Sequence, residues 1–388
     1  MEEKSENLKV PIIVDIGSGG IKAGFSGEEK PKIVFKNHIG EPKYKKVLRA
    51  FSSENEEINV QYIGEDCGKF MGVLKLRNPV NHGIFSNDQD ILSVFNYIYS
   101  KLGLNTEEIG QHPVLVTEPL LNPYTNRERI ATTLFDNLGV PALFFASQPI
   151  LSLFSTSNTS GTVLESGEGV TQSCVVCEGY SLPNSYERFD YGGADVTEYL
   201  KILLKKKGYQ FYNSTEFRLV NEIKENSCFC ISNNINIDIN NAKKGLNKNP
   251  INYYLPDGTT ISIGEERLLA PEILFNLEYI GKEYLNFTDI IMSSIDKVDI
   301  QLRQKSYENI LLSGGNTAIR GLLEKLTNEI KNRANKNLNI NLKSTPKPEY
   351  CCWLGGNMIS TLEMFKTMLV SKSDWSEKGN KIIHIKTI

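Results

Sequence analysis

The feature that most constrains this chain is a unit that occurs twice: a short apolar run, then an acid, then a serine set among glycines. The first copy is Pro11-Ile-Ile-Val14 followed by Asp15-Ile-Gly-Ser-Gly-Gly-Ile-Lys22-Ala-Gly24-Phe25. The second is Gly161-Thr-Val-Leu164 followed by Glu165-Ser166-Gly167-Glu168-Gly169-Val170. Each apolar run has the length of a buried strand, and each turn is where such a strand must stop. Closely spaced glycines let successive backbone N–H groups point into one concavity. In the first turn Gly17, Gly19 and Gly20 supply that backbone, Ser18 adds a hydroxyl donor and Lys22 a point charge, which together suit a polyphosphate. Asp15, at the strand end, is placed to hold a hydrated Mg²⁺. A glycine-rich hairpin without function is the competing reading of either turn alone, but two clamps facing one cleft are far more specific than one. A third turn, Ser313-Gly314-Gly315-Asn316 after Asn309-Ile-Leu-Leu312, suits the approach of a flat ring or a ribose rather than a charge.

Spacing weakens one better-known phosphate-loop reading and removes another. A dinucleotide fingerprint needs a third glycine where Gly17-Ser-Gly19-Gly-Ile-Lys22 has lysine. A Walker loop is absent because no Gly-Lys-Ser or Gly-Lys-Thr follows a glycine at the required distance. Cys174-Val-Val-Cys177 has the spacing of half a zinc or redox site, but it lies in an apparent strand, Ser173 to Cys177, with no second pair and no nearby histidine. Cys228 and Cys230 read as small buried residues.

The rest of the chain alternates strands with helices, which makes this an α/β protein. Val114-Leu-Val116 before Thr117-Glu118-Pro119 is a further buried strand. Ile91, Val94, Phe95, Ile98 and Leu102 fall on one helical face, with Gly103 as a stop. A second helix is expected to start at Asn126 as N-cap and to end near Gly139, and a third to run from Thr361 to Leu369 through Leu362 and Phe365. At 388 residues the chain is too long for one ordinary core, and two lobes are expected. The Asn-rich stretches at 232–250 and 331–342 and the charged run at 41–59 read as solvated surface insertions.

A net charge of -3 and 23% charged residues carry no excess that would favour nucleic acid. The polar N-terminus, Met1 to Leu8, lacks the pattern of a signal or transit peptide. No apolar run approaches the roughly 18 residues of a membrane span. Seven cysteines fit free thiols in a reducing compartment, so the cytoplasm is expected.

Over essentially its whole length the chain resembles the actin family, as an actin-related protein. The residues that carry the resemblance include Ile13-Val-Asp-Ile-Gly-Ser-Gly19 with Lys22-Ala-Gly-Phe25, Asn81-His82-Gly83-Ile84, His112-Pro-Val-Leu-Val-Thr-Glu118 and Leu121-Asn-Pro123. Asn126-Arg-Glu-Arg129, Gln148 with Leu151-Ser-Leu-Phe154, Leu255-Pro-Asp-Gly258, Leu311-Leu-Ser-Gly-Gly315 and Trp353-Leu-Gly-Gly356 extend it. Ser214-Thr-Glu-Phe217, Tyr253 to Gly258, Asn126 to Arg129 and Val140-Pro-Ala-Leu143 lean toward the centractin type, which forms the short filament of dynactin.

The resemblance implies an actin-like ATPase fold, two lobes of four subdomains around a central cleft that takes ATP or ADP with Mg²⁺. Lobe I would comprise 1–155 and 351–388, with 37–78 as subdomain 2. Lobe II would comprise 156–350, with 192–282 as subdomain 4. The phosphates would lie against Gly17, Ser18, Gly19, Gly20 and Lys22 and against Ser166, Gly167, Glu168, Gly169 and Val170. Gly193, Lys224 and Glu225 would border the nucleoside, and Gly314, Gly315, Asn316 and Ile319 the adenine. Asp15 and Glu165 would hold the metal through water, and Gln148, Glu165 and Gln172 would stand at the catalytic positions.

Several positions depart from the family pattern. The family usually has aspartate where this chain has Glu165 and histidine, which orients the attacking water, where it has Gln172. Phosphoryl transfer depends on positioning, and a displacement of about 1 Å can cost on the order of 10²-fold. ATP binding with slow or absent hydrolysis is therefore expected, unless Glu165 reaches the same waters through another rotamer. Ile319 replaces an aromatic ring beside the adenine and Glu349 a lysine. Glu41 replaces a basic residue in a lengthened loop, 41–62, and Lys282 stands where an apolar filament plug is expected. A buried Lys282 must snorkel, find an acid or abolish the contact, so long homofilaments are not expected. His82 reads as a hinge histidine or a phosphate sensor. Phe154, Ile359 and Leu362 read as core or as part of a partner-binding groove.

The expected function is an ATP-switched cytoskeletal subunit that assembles with other actin-family subunits or a multiprotein complex, without direct nucleic-acid contact. A polymerising ATPase and a nuclear chromatin-associated protein are the alternatives, separated by phosphate release on assembly and by co-purifying partners. Sugar kinases and Hsp70-type ATPases share the two-loop logic. The chain lacks an evident catalytic aspartate for the first and a long substrate-binding extension for the second.

Overall fold

The computed structural model describes residues 8–43, 61–70, 72–232, 239–255 and 258–386. The expected N-terminal tail, most of the charged run at 41–59, part of the Asn-rich stretch at 232–250 and Pro256-Asp257 lie outside the described residues. The chain divides into two compact units. One comprises Met1–Ser160, Val176–Ser181 and Tyr350–Ile388, and the other comprises Gly161–Val175 and Leu182–Glu349.

The first unit is built on a six-stranded sheet in the order Val370–Ser371, Ala142–Ser147, Val114–Glu118, Ile12–Ile16, Gly20–Phe25, Ile33–Lys36. Ile12–Ile16 runs parallel to Val114–Glu118 and antiparallel to Gly20–Phe25, with Ile12 opposite Phe25 and Ile16 opposite Ile21. The whole central strand is buried, as a strand covered on both faces must be. Alternation assigns its residues to two cores. Ile12, Val14 and Ile16 pack with Ile91, Val94, Phe95 and Ile98, whereas Ile13 packs with Leu115, Phe144, Leu151 and Trp353.

The helix expected from the Ile91 periodicity spans Asp88–Leu102. Asn87 caps it by accepting from the Asp90 N–H, and Gly103 ends it at φ 81°. A neighbouring three-stranded sheet is formed by Ile39–Pro42, Tyr62–Ile63 and Leu74–Arg77. Arg77 anchors this sheet to the helix through a two-pronged bond to Asp90, at 2.5 and 2.7 Å, and also donates to Glu41 at 3.2 Å. The unexpected acid at 41 is thus paired.

Three expectations need correction. The acids at 15 and 165 lie within strands Ile12–Ile16 and Gly161–Ser166 rather than just beyond them. Asn126 is no N-cap: the helix is Tyr124–Thr132, capped at Pro123. The Asn126 side chain is buried instead, accepting from Phe85 N–H and donating to the Gly83 carbonyl and to Asn122 Oδ1. Thr361 to Leu369 forms only the short turn Phe365–Met368, and a ten-residue helix lies one step earlier, at Cys351–Ser360. Two glycines in its middle weaken the helical signal.

That weakness serves packing. Cys351–Ser360 crosses Gln148–Phe154 so closely that a Cβ on Gly355 would stand 1.7 Å from the Leu151 carbonyl oxygen.

The second unit repeats the plan. Gly161–Ser166 and Thr171–Cys177 are adjacent strands, Glu187–Phe189 pairs antiparallel on the far side of the latter, and Ile310–Ser313 and Leu342–Ser344 follow in parallel beside the former. In both sheets, then, a hairpin is flanked by two parallel strands on one side and by an antiparallel strand on the other. Helices Gly193–Lys206 and Phe287–Asp296 close its core through Val196, Leu200, Phe287 and Ile290.

Gly355→Ala is expected to destabilise the protein by roughly 3 kcal/mol or more, since the obstacle is backbone. Gly68→Ala, where nothing lies within 4 Å, is expected to change stability by less than about 0.5 kcal/mol. Urea midpoints of the two variants check the contrast.

Candidate functional site

The two hairpins close in the same way. In the first unit Gly17 N–H donates to the Gly20 carbonyl at 3.1 Å, and in the second Gly167 N–H donates to the Val170 carbonyl at 2.9 Å. A strand rather than a helix follows each turn, which separates both from strand-to-helix phosphate loops.

Neighbours fix the first turn from outside. Asn37, fully buried, donates from its amide nitrogen to the Gly17 carbonyl at 3.0 Å and from its backbone to the Gly19 carbonyl at 3.3 Å. The Gly83 N–H donates to Ser18 Oγ at 3.0 Å, so that oxygen is an acceptor here as well as the expected donor. The residue before it, His82, holds the left-handed φ of 47°. Asp15 is 2% exposed and sits at the centre of a polar knot. Its Oδ2 accepts from Lys22 Nζ at 3.0 Å, and its Oδ1 accepts from Thr117 Oγ at 2.7 Å and Gln148 Nε2 at 3.3 Å. Thr117 Oγ accepts in turn from the Ile16 N–H. The structure therefore brings Asp15, Lys22 and Gln148 together and adds Thr117 and Asn37, which the sequence did not single out. For Thr117 the signal was present, as a hydroxyl at the end of an apolar run.

The second turn has its own version of the knot. Gln172 Nε2 donates to Glu165 Oε2 at 3.2 Å. The helix Gly193–Lys206 docks its first turn on the hairpin: Gly193 N–H donates to the Gly167 carbonyl at 2.9 Å and Ala194 N–H to the Glu168 carbonyl at 2.8 Å. This approach requires Gly192, where a Cβ would lie 2.5 Å from the Gly167 oxygen. Lys224, 7% exposed, donates to the Gly193 carbonyl at 2.8 Å and stands 3.8 Å from Glu168.

Gly314 meets the strand end from the other side, with a φ of 86° and a would-be Cβ 2.3 Å from the Ser166 oxygen. Gly315 is exposed beside Glu349. Asn316 donates to Ser166 Oγ at 3.0 Å. Glu225 accepts from Asn221 Nδ2, and Ile319, partly buried, packs against the core of the second unit.

Near each hairpin an asparagine carbonyl is buried without a hydrogen-bond partner, Asn37 Oδ1 in the first unit and Asn316 Oδ1 in the second. Buried acceptors are normally satisfied, so these two stand out as polar atoms left unpaired beside the glycine turns. Within each unit taken by itself, the glycine turn offers backbone N–H groups that suit a phosphate, and the carboxylate before it, Asp15 in one unit and Glu165 in the other, suits a hydrated divalent ion.

The actin family model matches residues 7–388. The chain belongs to the actin family. An actin-like protein of Neurospora crassa is 41% identical over 378 residues, covering 97% of this chain and 97% of that protein. The α/β architecture with mixed sheets is thus an actin-family fold.

Within it, Lys282 has found an acid: its Nζ lies 2.8 Å from Asp195 Oδ1 and 3.2 Å from the Asp190 carbonyl. Ile359 is core, whereas Leu362 is half exposed and helps line a pocket of about 440 Å³ with Leu8, Pro11 and Phe365. Cys174 and Cys177 fall on opposite faces of their strand. Burial and the Glu165 carboxylate push the Cys174 thiol well above its ordinary range, and burial raises Cys228 to about 12. Among the described residues no helix is long and apolar enough to cross a membrane.

Gly314→Ala would force a left-handed backbone and a clash with Ser166 at once. It is expected to cost about 2–4 kcal/mol, read as a lowered thermal midpoint, and an unchanged midpoint would contradict the packing described.

Proposed function

We propose that this chain is an ATP-binding actin-related protein in which a single Mg-ATP engages both glycine hairpins, one from each lobe of a two-lobed, four-subdomain fold. The carrying observation is the matched pair of turns, each closed by the same backbone bond and preceded by a buried carboxylate. Gly17, Ser18, Gly19, Gly20 and Lys22 would hold the phosphates from one side and Ser166 to Val170 from the other. Gly193, Lys224, Gly314, Gly315 and Asn316 would face the nucleoside, with Asp15 and Glu165 holding the hydrated metal. Bound Mg²⁺ supplies neutralisation of the phosphate charge.

Hydrolysis would be slow. A water-activating position needs a group able to accept a proton or orient the attacking water. Gln172 is an amide whose nitrogen is committed to Glu165, and the Gln148 nitrogen is divided among Asp15 Oδ1, the Ile16 carbonyl and Thr117 Oγ, each at 3.3 Å. The nucleotide would then act as a switch that sets the relative position of the two lobes. Its output would be assembly with other actin-family subunits or a larger complex in the cytoplasm. The resemblance of 214–217 and 253–258 to centractin supports a subunit of a short filament. The Lys282–Asp195 pair, at a position where the family places an apolar plug, supports weak homopolymerisation.

Calorimetry is expected to detect Mg-ATP binding that weakens when EDTA removes the metal. In single turnover, Gln172→His combined with Glu165→Asp is expected to release phosphate at least about tenfold faster than the parent. A parent that already matches the double variant would contradict the slow-hydrolysis reading.

A further inference from the structure

Arg77, Arg127, Arg129, Arg188, Arg303 and Arg333 each stand within ion-pair distance of a carboxylate. Arg267 and Arg320, both in the second unit, differ: among the described residues neither has an acidic partner. These two are also neighbours. Each guanidinium lies over the ring of Phe229, 5.2 Å from its centre. Arg267 spends its Nε on the Ser227 carbonyl at 3.1 Å. Among the described residues its two terminal nitrogens, and all three side-chain nitrogens of Arg320, have no acceptor.

The backbone holds the pair in place. Phe229 N–H donates to the Arg267 carbonyl at 3.1 Å, Cys230 N–H donates to the Arg320 carbonyl at 2.8 Å, and Phe229 and Arg320 form a parallel bridge. Gly321, at φ 81°, permits the second of these contacts, since a Cβ there would stand 2.2 Å from the Cys230 oxygen. The carboxylate next to Arg267 in sequence, Glu266, is engaged elsewhere: it accepts from the Gly264 N–H at 2.8 Å and pairs with Lys207 at 2.9 Å. Burial and the nearby charge of Arg320 hold the Arg267 guanidinium below its ordinary value. The negative face of an aromatic ring offsets part of such a repulsion, but only an anion cancels it. A carboxylate would neutralise one of the two charges. A phosphate monoester carries about -2 at neutral pH and offers three acceptor oxygens, enough to serve two guanidinium forks at once.

We infer that Arg267 and Arg320, braced on Phe229, form a binding site for the phosphate of a phosphate monoester. None of the three residues belongs to the set assigned to ATP. Two carriers share the required chemistry, a small soluble metabolite and a phosphorylated side chain of another protein, and Arg320 is exposed to both.

Calorimetry on the full chain, with Mg-ATP present and ionic strength held constant, tests this with inorganic phosphate, glycerol 2-phosphate and capped phosphoserine. Saturable binding at least about tenfold tighter than that of acetate is expected for one or more of these probes. Arg320→Ala is expected to weaken it by roughly tenfold or more, and Arg320→Lys by less, because the charge remains while the fork is lost. Lys305→Ala removes an exposed charge elsewhere in the same unit and is expected to leave the binding unchanged. Capped phosphoserine binding tighter than the other two by about fivefold assigns the site to a phosphorylated partner, and equal or weaker binding assigns it to a metabolite. Thermal midpoints without phosphate supply a second readout. Removal of one of two repelling charges is expected to keep or raise the midpoint of Arg320→Ala, whereas loss of a purely structural arginine would lower it. Absence of saturable binding, equal losses in Lys305→Ala and Arg320→Ala, or a lowered midpoint with unchanged phosphate affinity would overturn the assignment.

Discussion

Gly17 N–H reaches back to the Gly20 carbonyl and Gly167 N–H to the Val170 carbonyl, and the arrangement at each site follows from that closure. A turn this tight leaves its remaining backbone groups on the rim and the preceding carboxylate inside the sheet. The surrounding chain then braces it by hydrogen bonds to the outer carbonyls. Asn37 braces the first turn and the start of helix Gly193–Lys206 braces the second. The two solutions differ in detail, yet both take up the carbonyl oxygens that would otherwise repel a phosphate.

Because the brace differs, so does the legibility of each half in the sequence. The strands at Ile12, Val114, Gly161 and Ile310 were readable because continuous apolar runs of that length, ended by turns, have few other uses. The helix Asp88–Leu102 was readable from its periodicity and its terminal glycine. What hid the helix Cys351–Ser360 was its glycine pair, a local penalty accepted for contact with Leu151. Asn126 looked like a cap and is a buried tertiary link, since a single sequence cannot tell which partner an amide will find. At the site, glycines and acids announced themselves, while Thr117, Asn37 and the bond from Asn316 to Ser166 depend on residues far apart in the chain. Lys282 could be flagged as anomalous, but only the fold supplies Asp195.

Two of the departures from the family pattern, Glu165 and Gln172, fall where the resemblance places the chemistry. Glu165 and Gln172 meet each other, Gln148 is held on Asp15, and the sheets that carry them keep one plan in both units. A site can lose the geometry needed for bond breaking while its backbone cradle, which makes few demands on side chains, persists. Such a protein would read a nucleotide as a state rather than consume it as a fuel.

The central claim is that one nucleotide is held by both turns at once. Hydrogen exchange of the backbone amides at 17–20 and 167–170, with and without saturating Mg-ATP, tests it most directly. Slowed exchange in both segments together is the predicted result. Protection of only one segment, or of neither, would contradict it.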